Sequence, residues 1–330
     1  MRLGLIGAGR IGTTHAKVLS AQEDVESLLI ADIVAGRASE LAADTAGASA
    51  VPLAEIFDQV DALVIASSTD THAALLESGA AAGVPTFCEK PIALDLESTR
   101  RAAAAVDAAG ITVQMGFQRR YDPAIRAIHD RVASGELGTP YLVRSQTHDP
   151  APPPLEYLPV SGGIFRDCLI HDIDAVRYVT GQEVVAVTAF GAVLGFPEIG
   201  ELGDVDTATV TLELSEGTIG QLSALRHDPV GYDVRLELFA SEGSVAAGWN
   251  ARSPIHSMEP GVDPPRDPMI TMWDRFDAAF QAEMDAFIRV VRGEEAPASN
   301  HHDAYQDLRV AVACDRSLAE RRTVALEEIE

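Results

Sequence analysis

The tightest constraint on this chain lies at its start, where GLIGAGRIG sets Gly7, Gly9 and Gly12 in a Gly-x-Gly-x-x-Gly turn. An apolar, strand-like run over residues 2–7 leads in. The stretch IGTTHAKVLSA leads out, with Ile11, Ala16, Val18 and Leu19 forming a helical apolar face. A glycine-rich turn can be a plain connector, but the strand before it and the helix after it favour a dinucleotide-binding turn. Gly7 permits the tight bend, Gly9 lets the backbone approach a pyrophosphate, and Gly12 allows the helix to pack closely. The helix start at Arg10, Ile11 and Gly12 then offers amides and a positive dipole end to phosphates. Asp32 ends the next strand-like run, VESLLIAD, 20 residues after Gly12, where a carboxylate accepts from both adenosine ribose hydroxyls; otherwise it is a solvated loop residue. A carboxylate there repels a 2′-phosphate and Ile33 supplies no cation, so NAD is expected over NADP.

The alternation continues with helices over 36–46, 71–82 and 95–109 and strands near 48–51, 61–67, 85–90 and 112–117. Strands alternating with helices at this spacing imply right-handed βαβ units, so residues 1–118 are read as a doubly wound parallel sheet of Rossmann type. From 119 to 330 the texture changes. PYLVRSQTHD, EVVAVTAFGAV, DTATVTLELSEGTIGQLSALRHD and YDVRLELFASEGSVAAGW alternate apolar and polar residues between glycine turns. They predict an α/β domain built on a large, mostly antiparallel open sheet. DPAPPPLEYLP (149–159) and SMEPGVDPPRDP (257–268) read as proline-braced loops, and 274–293 as a helix with Phe276, Phe280, Met284, Phe287 and Val291 on its apolar face.

A chain of 330 residues suits two such domains. Its 25 basic and 50 acidic residues give a formal net charge of −25, which repels phosphate backbones and anionic membrane surfaces and argues against a nucleic-acid or membrane partner. Glycines interrupt the N-terminus too early for a signal peptide, and no run of about 18 apolar residues follows. Cys88, Cys168 and Cys314 are widely spaced without a CxxC, which fits reduced thiols and a cytoplasmic protein.

Two segments carry the candidate chemistry. Glu89-Lys90-Pro91 ends the strand TFCEK, at the edge where an open α/β sheet binds ligands. Lys90 is one of only two lysines against 23 arginines, and an ammonium is a compact donor with a tunable pKa where a guanidinium is not. A plain surface lysine is the alternative. The second segment, SGGIFRDCLIHDID (161–174), places Asp167, His171 and Asp174 at helical spacings of four and three residues, so a helix over 164–178 sets all three on one face. A carboxylate beside an imidazole fixes its tautomer and steadies its charged form, as a general base requires; a partly buried, satisfied histidine is equally compatible. Asp172 points elsewhere, toward solvent or a helix-surface ion pair with Arg177 or another basic group.

The turn, the EKP segment and GGxxxDxxxHDxD together resemble the Gfo/Idh/MocA oxidoreductases over essentially the whole chain, with inositol 2-dehydrogenase-like proteins as the closest subgroup. The resemblance implies catalytic roles for Lys90, Asp167 and His171, a substrate-hydroxyl contact for Asp174, and further substrate contacts near Arg120 and Tyr232. It also implies that Ser67, Ser68, Thr69 and His72, in SSTDTH, form the nicotinamide-side loop beside Glu89 and Lys90. Homodimers or homotetramers through the open sheet are implied as well. His148 and Asp149, on the proline-braced loop, do not align with the inositol enzymes and are expected to line the substrate pocket. The reading is therefore oxidation of a secondary alcohol of a cyclitol or sugar by NAD, with a non-catalytic NAD-binding sensor as the competing reading. A metal-dependent enzyme using His148, Asp167, Cys168 and His171 leaves the glycine turn unexplained, so no metal site is expected. His301-His302-Asp303 reads as a helix start or surface feature.

Overall fold

The computed structural model describes residues 1–330, apart from the side chain of Ala35. Two compact units emerge, Met1–Gln118 with Phe280–Gln306, and Arg119–Ala279 with Asp307–Glu330.

The first unit is built on β1 (Arg2–Ile6), α1 (Arg10–Ser20), β2 (Ser27–Ala31), α2 (Ala35–Ala43), β3 (Ala48–Ala50), β4 (Ala62–Ile65), α3 (Thr69–Ala82), β5 (Thr86–Glu89), α4 (Leu96–Ala109) and β6 (Val113–Gly116). Its strands pair in parallel in the order β3-β2-β1-β4-β5-β6. The order reverses between β1 and β4, the switch point at whose carboxyl edge an open α/β sheet leaves a crevice. The near-continuous apolar runs Leu3–Ile6 and Ala62–Ile65 are buried along their length, as strands covered on both faces must be.

In the second unit, α5 (Pro123–Ala133) starts at Asp122, whose Oδ1 accepts from the amides of Ala124 and Ile125, and Pro123 occupies the first helical turn. There follow β7 (Pro140–His148), α6 (Leu158–Ser161), α7 (Ile164–Asp167), α8 (Ile170–Thr180), β8 (Val184–Ala192), α9 (Pro197–Glu201), β9 (Thr207–Leu214), β10 (Ile219–Leu225), β11 (Asp233–Ala240), β12 (Gly243–Ala247) and β13 (Val324–Ala325), while α10 (Met272–Val291) and α11 (His301–Glu320) each have residues in both units. The seven-stranded sheet runs β12-β11-β7-β10-β9-β8-β13, antiparallel throughout except for β7 against β10. Along β9, Ala208, Val210, Leu212 and Leu214 point inward while Thr209, Thr211 and Glu213 are exposed, the period-two signature of a sheet covered on one face. No helix among the described residues is long and apolar enough to cross a membrane.

The division differs from a simple cut at residue 118, because the chain returns to the first unit over Phe280–Gln306. Met284, Phe287 and Ile288 of α10 belong to the same buried cluster as Leu3, Leu5, Leu28, Val64 and Phe87. The Phe276–Val291 periodicity shows that a helix buries one face; it carries no information about which core receives it. Phe287 is fully buried there, so Phe287→Ala is expected to cost about 3–5 kcal/mol through lost transfer energy and a residual cavity. Urea unfolding followed by the stability of the first unit checks this; a loss below about 1 kcal/mol contradicts the packing.

Candidate active site

In the first unit the glycine turn is tight enough to explain its composition. Gly7 has φ +108°, and a Cβ on it would collide with the Ala66 backbone beyond β4. A Cβ on Gly12 would strike the Gly7 carbonyl oxygen, so only glycine lets α1 sit this close to β1. Gly9 differs: nothing lies within 4 Å of where its Cβ would be, so that side of the turn is open. Gly9 is the N-cap of α1 and supplies no side-chain cap. An open approach beside Gly9 and the positive dipole end of α1 suit a pyrophosphate.

Asp32 follows β2, half-buried. Its Oδ2 accepts from the Ala8 amide and its Oδ1 from the Val34 amide, both at 2.8 Å. These bonds tie the carboxylate to the glycine turn while each oxygen retains a lone pair. Ile33 is 87% exposed and places no cation beside it. The arrangement suits the hydroxyls of an adenosine ribose and opposes a phosphate on that ribose.

The loop after β4 is held from within. Ser67 Oγ meets Thr71 Oγ1 at 2.6 Å, and the Thr71 hydroxyl donates to the Ser68 carbonyl. Ser68 is the N-cap residue of α3, and Thr69 its first residue. His72, expected as a cofactor contact, is buried, with Nδ1 2.8 Å from the Pro91 carbonyl and Nε2 3.1 Å from that of Ser67. Burial holds its pKa below the ordinary histidine value, so at neutral pH the ring has one proton, which the shorter contact to Pro91 claims. His72 thus joins the loop to the turn after β5. The peptide bond Lys90–Pro91 in that turn is cis.

Glu89, at the end of β5, also turns inward. Its Oε1 accepts from His15 Nε2 at 2.8 Å, and Oε2 lies where any Cβ on Gly116 would have to go. His15 is fully buried in α1 with Phe87 and Phe280 edge-on to its ring. Neither His15 nor its partnership with Glu89 is apparent from the sequence, because the two lie 74 residues apart and only the parallel sheet brings them together. The helical spacing of His15 behind the glycine turn was the available signal.

In the second unit, the helix expected over 164–178 is broken. The Leu169 amide bonds the Ile164 carbonyl five residues back and the Asp172 amide bonds Leu169 three residues back, so α7 ends at Asp167 and α8 begins at Ile170. The shared face expected for Asp167, His171 and Asp174 therefore cannot follow from one unbroken helix, since Asp167 closes α7 while His171 and Asp174 stand in α8. Asp167 Oδ2 accepts from Arg226 Nη1 at 2.6 Å and Oδ1 from the Tyr157 hydroxyl at 2.9 Å. Arg226 is 1% exposed and also reaches Asp204 and the Cys168 sulfur. His171, in the first turn of α8, is half-buried.

Asp172 is not a surface residue, contrary to the sequence reading. It is wholly buried, accepting from Arg119 Nη1 (2.8 Å), Ser145 Oγ (2.5 Å) and Thr147 Oγ1 (2.6 Å). Arg177 instead bonds Asp307 and Glu183. Asp174 is equally buried, and the Arg120 guanidinium spans both of its oxygens, with Nη2 to Oδ1 at 2.6 Å and Nε to Oδ2 at 3.2 Å. The structure brings Arg120 and Asp174 together, but as partners of each other, and the hydroxyl contact expected at Asp174 has no exposed oxygen to make it.

His148 ends β7 with Asp149 just beyond it, and Arg226 follows β10. Because β7 and β10 are the sheet's parallel pair, with His148 opposite Leu225, the two strands deliver these residues to the same edge. The Cys168 thiol, next to Asp167, donates to Asp149 Oδ2 at 3.6 Å and Arg226 bonds Asp167, so Asp149, Cys168, Asp167 and Arg226 form one polar cluster. His148 Nε2 meets Ser223 Oγ at 3.0 Å, and burial lowers its pKa, keeping it neutral near pH 7. Tyr232 is half-buried, edge-on to Phe276, and burial raises its phenol pKa, so it remains a hydroxyl donor.

A Gly-x-Gly-x-x-Gly turn at the first helix start, with an aspartate closing the second strand on a parallel sheet, gives the first unit the architecture of a dinucleotide-binding domain. Residues 1–117 match the oxidoreductase family with an NAD-binding Rossmann fold, and residues 125–246 match the GFO/IDH/MocA C-terminal domain. The chain belongs to the GFO/IDH/MocA oxidoreductase family. It is 37% identical to the myo-inositol 2-dehydrogenase of Thermotoga maritima, covering 100% of this chain and 99% of that one. It is 38% identical to the inositol 2-dehydrogenase of Rhizobium meliloti, covering 99% of each. Among solved structures, a probable dehydrogenase from Thermotoga maritima superposes with a TM-score of 0.93 at 36% identity over 100% of both chains.

If Asp32 reads the adenosine ribose, a preference for NAD over NADP rests on it. Asp32→Ser is expected to narrow the ratio of NADP to NAD dissociation constants by about tenfold or more, equivalent to ~1.4 kcal/mol. Calorimetric titration of both cofactors measures it, and equal affinity of the unsubstituted protein for the two would overturn the assignment.

Proposed function

We propose that this protein oxidises one secondary hydroxyl of a cyclitol, an inositol before a pyranose sugar, to the ketone. The observation that carries the reading is that likeness to inositol dehydrogenases spans the whole chain while Lys90, Asp167 and His171 are all present. NAD, when bound, supplies the hydride acceptor. His171 takes the hydroxyl proton as the carbinol C–H bond breaks, and it is suited to this because its imidazole is half-buried rather than sealed. Lys90 donates a hydrogen bond to the oxygen as negative charge develops there, which lowers the barrier only at that stage. Asp167 acts on the His171 side of the site and is itself fixed by Arg226 and Tyr157, which limits its freedom to rotate away.

His148, Asp149 and Tyr232 are the polar groups we assign to the remaining hydroxyls of the ring, while Arg120 and Asp174 are engaged with each other as a buried pair. A site with several such groups penalises a substrate lacking the matching hydroxyls by about 1–3 kcal/mol for each polar group left without a partner. Simple secondary alcohols are therefore poor substrates.

The exposed face of the seven-stranded sheet carries Phe190, Tyr141 and Ile219 at 68%, 59% and 49% exposure. Such a face fits burial against a second copy, and we assign a homodimer or homotetramer, checked by light scattering after size exclusion. The three buried free cysteines suit a reducing compartment, and we place the protein in the cytoplasm.

The decisive experiment is a steady-state panel with NAD: myo-inositol first, then other inositols, aldoses, short-chain alcohols and hydroxy acids. Activity on at least one cyclitol is expected, with His171→Ala and Lys90→Ala each lowering turnover by roughly two to four orders of magnitude while NAD affinity stays near its starting value. Activity confined to short-chain alcohols or hydroxy acids rules out the cyclitol, and near-normal turnover in His171→Ala removes it as the base.

A further inference from the structure

Two groups of side chains outside the cofactor turn have metal-ligating geometry. In one, His148 with Asp228 and Asp233, both Asp233 oxygens already accept from Arg235 and one also from Gln146, which leaves little for an ion. The other lies within the first unit and serves no part of the proposed reaction. Asp107 stands in the last turn of α4, and His301 and His302 open α11. His301 Nε2 is 2.9 Å and His302 Nε2 3.2 Å from the same oxygen, Asp107 Oδ1, and donor atoms of all three lie within 4.8 Å of one another.

Those separations suit coordination. With bonds of about 2.0–2.1 Å, donors around a tetrahedral zinc are separated by ~3.3 Å, and N and O donors from histidine and aspartate are ligands it accepts. The backbone beneath them is fixed in advance. Asn300 Oδ1 caps α11 by accepting from the amides of His302 (2.8 Å) and Asp303 (3.2 Å). Ser299 is tied to β6 in both directions, accepting from the Met115 amide and donating its hydroxyl to the Met115 carbonyl. Gly110, in the left-handed conformation at φ 65°, closes α4 just beyond Asp107. The side chains of His302 and Asp107 are 62% and 52% exposed, which gives an ion a route in and room for water in its remaining positions.

We propose that Asp107, His301 and His302 form a surface site for a divalent zinc-like cation, with water completing the shell, that fastens the start of α11 to the end of α4. Asp303, the acid adjacent in sequence, instead accepts from the Asn300 amide, and the third ligand comes from 194 residues away, which is why the sequence alone does not disclose the site.

The same distances also arise if the two imidazoles merely donate N–H bonds to one carboxylate, and metal titration separates the cases. The full-length protein, stripped with a chelator, is titrated with cobalt(II), read through its visible d–d bands, and then with zinc. One cobalt per chain is expected, displaced by zinc, with zinc raising the melting temperature by several degrees. His302→Ala, an exposed position, and Asp107→Asn should each weaken binding at least about tenfold and abolish the thermal shift. No d–d bands and no zinc-dependent shift in the unsubstituted protein, or the same response in both variants, would overturn the site. Cofactor binding measured without metal serves as the folding control for the variants.

Discussion

Much of the second unit depends on arginine–aspartate pairs withdrawn from water. Asp172 holds Arg119, Asp174 holds Arg120, Asp167 holds Arg226, and Asp307 holds Arg177, with exposures of 0% for Asp172, Asp174 and Asp307. A buried ion pair is not a cheap source of stability, since desolvation offsets most of the attraction. Removing one partner, however, strands the other at a cost of about 3–5 kcal/mol, so such pairs fix arrangement more than they add stability. Here they anchor consecutive residues, Arg119 and Arg120, to consecutive polar positions on α8. The side chains of Ser145 and Thr147 take up further acceptor sites on Asp172 and tie β7 into the same network. The preference for arginine over lysine across the chain fits this use. A planar guanidinium can bond both oxygens of a carboxylate and keeps its charge when buried, whereas burial tends to neutralise an ammonium.

That network also explains which parts of the site were legible in the sequence. The spacing of SGGIFRDCLIHDID marks it as a place where acids and an imidazole converge, but spacing assigns no partner. Asp172 was read as meeting solvent or a basic group such as Arg177 because its actual partner lies 53 residues earlier, and Asp174 looked available because Arg120 is 54 residues away. The break at Cys168–Leu169 was hidden as well: no glycine or proline interrupts IFRDCLIHDIDAVRYV, and the wide turn is a matter of backbone bonding. By contrast, the glycine turn was readable position by position, because steric exclusion at Gly7 and Gly12 acts over a few residues and depends little on the rest of the chain. The parallel order of the first sheet followed for the same local reason, from strand and helix lengths.

The recruitment of Phe280–Gln306 into the first unit is a third kind of case. Periodicity identified α10, and the apolar stripe was correct, yet a stripe is silent about its destination. His15 and Glu89 share that limit, being joined only once β5 lies in place beside its neighbours. Function was legible earlier than geometry, since residue types in order carry the chemistry while their contacts require the fold.

His72 has a wider meaning for how the cofactor edge of the first unit can change. One ring, with one proton at neutral pH, faces the carbonyls of both Ser67 and Pro91. The loop after β4 and the turn that carries Lys90 therefore share a single fastening. Substitutions in the two segments are not independent, because each draws on the same imidazole, and coupling of this kind makes mutational effects non-additive between neighbours. A change in either segment that displaces one of these carbonyls would leave the imidazole to the other, so the two segments are bound to shift together.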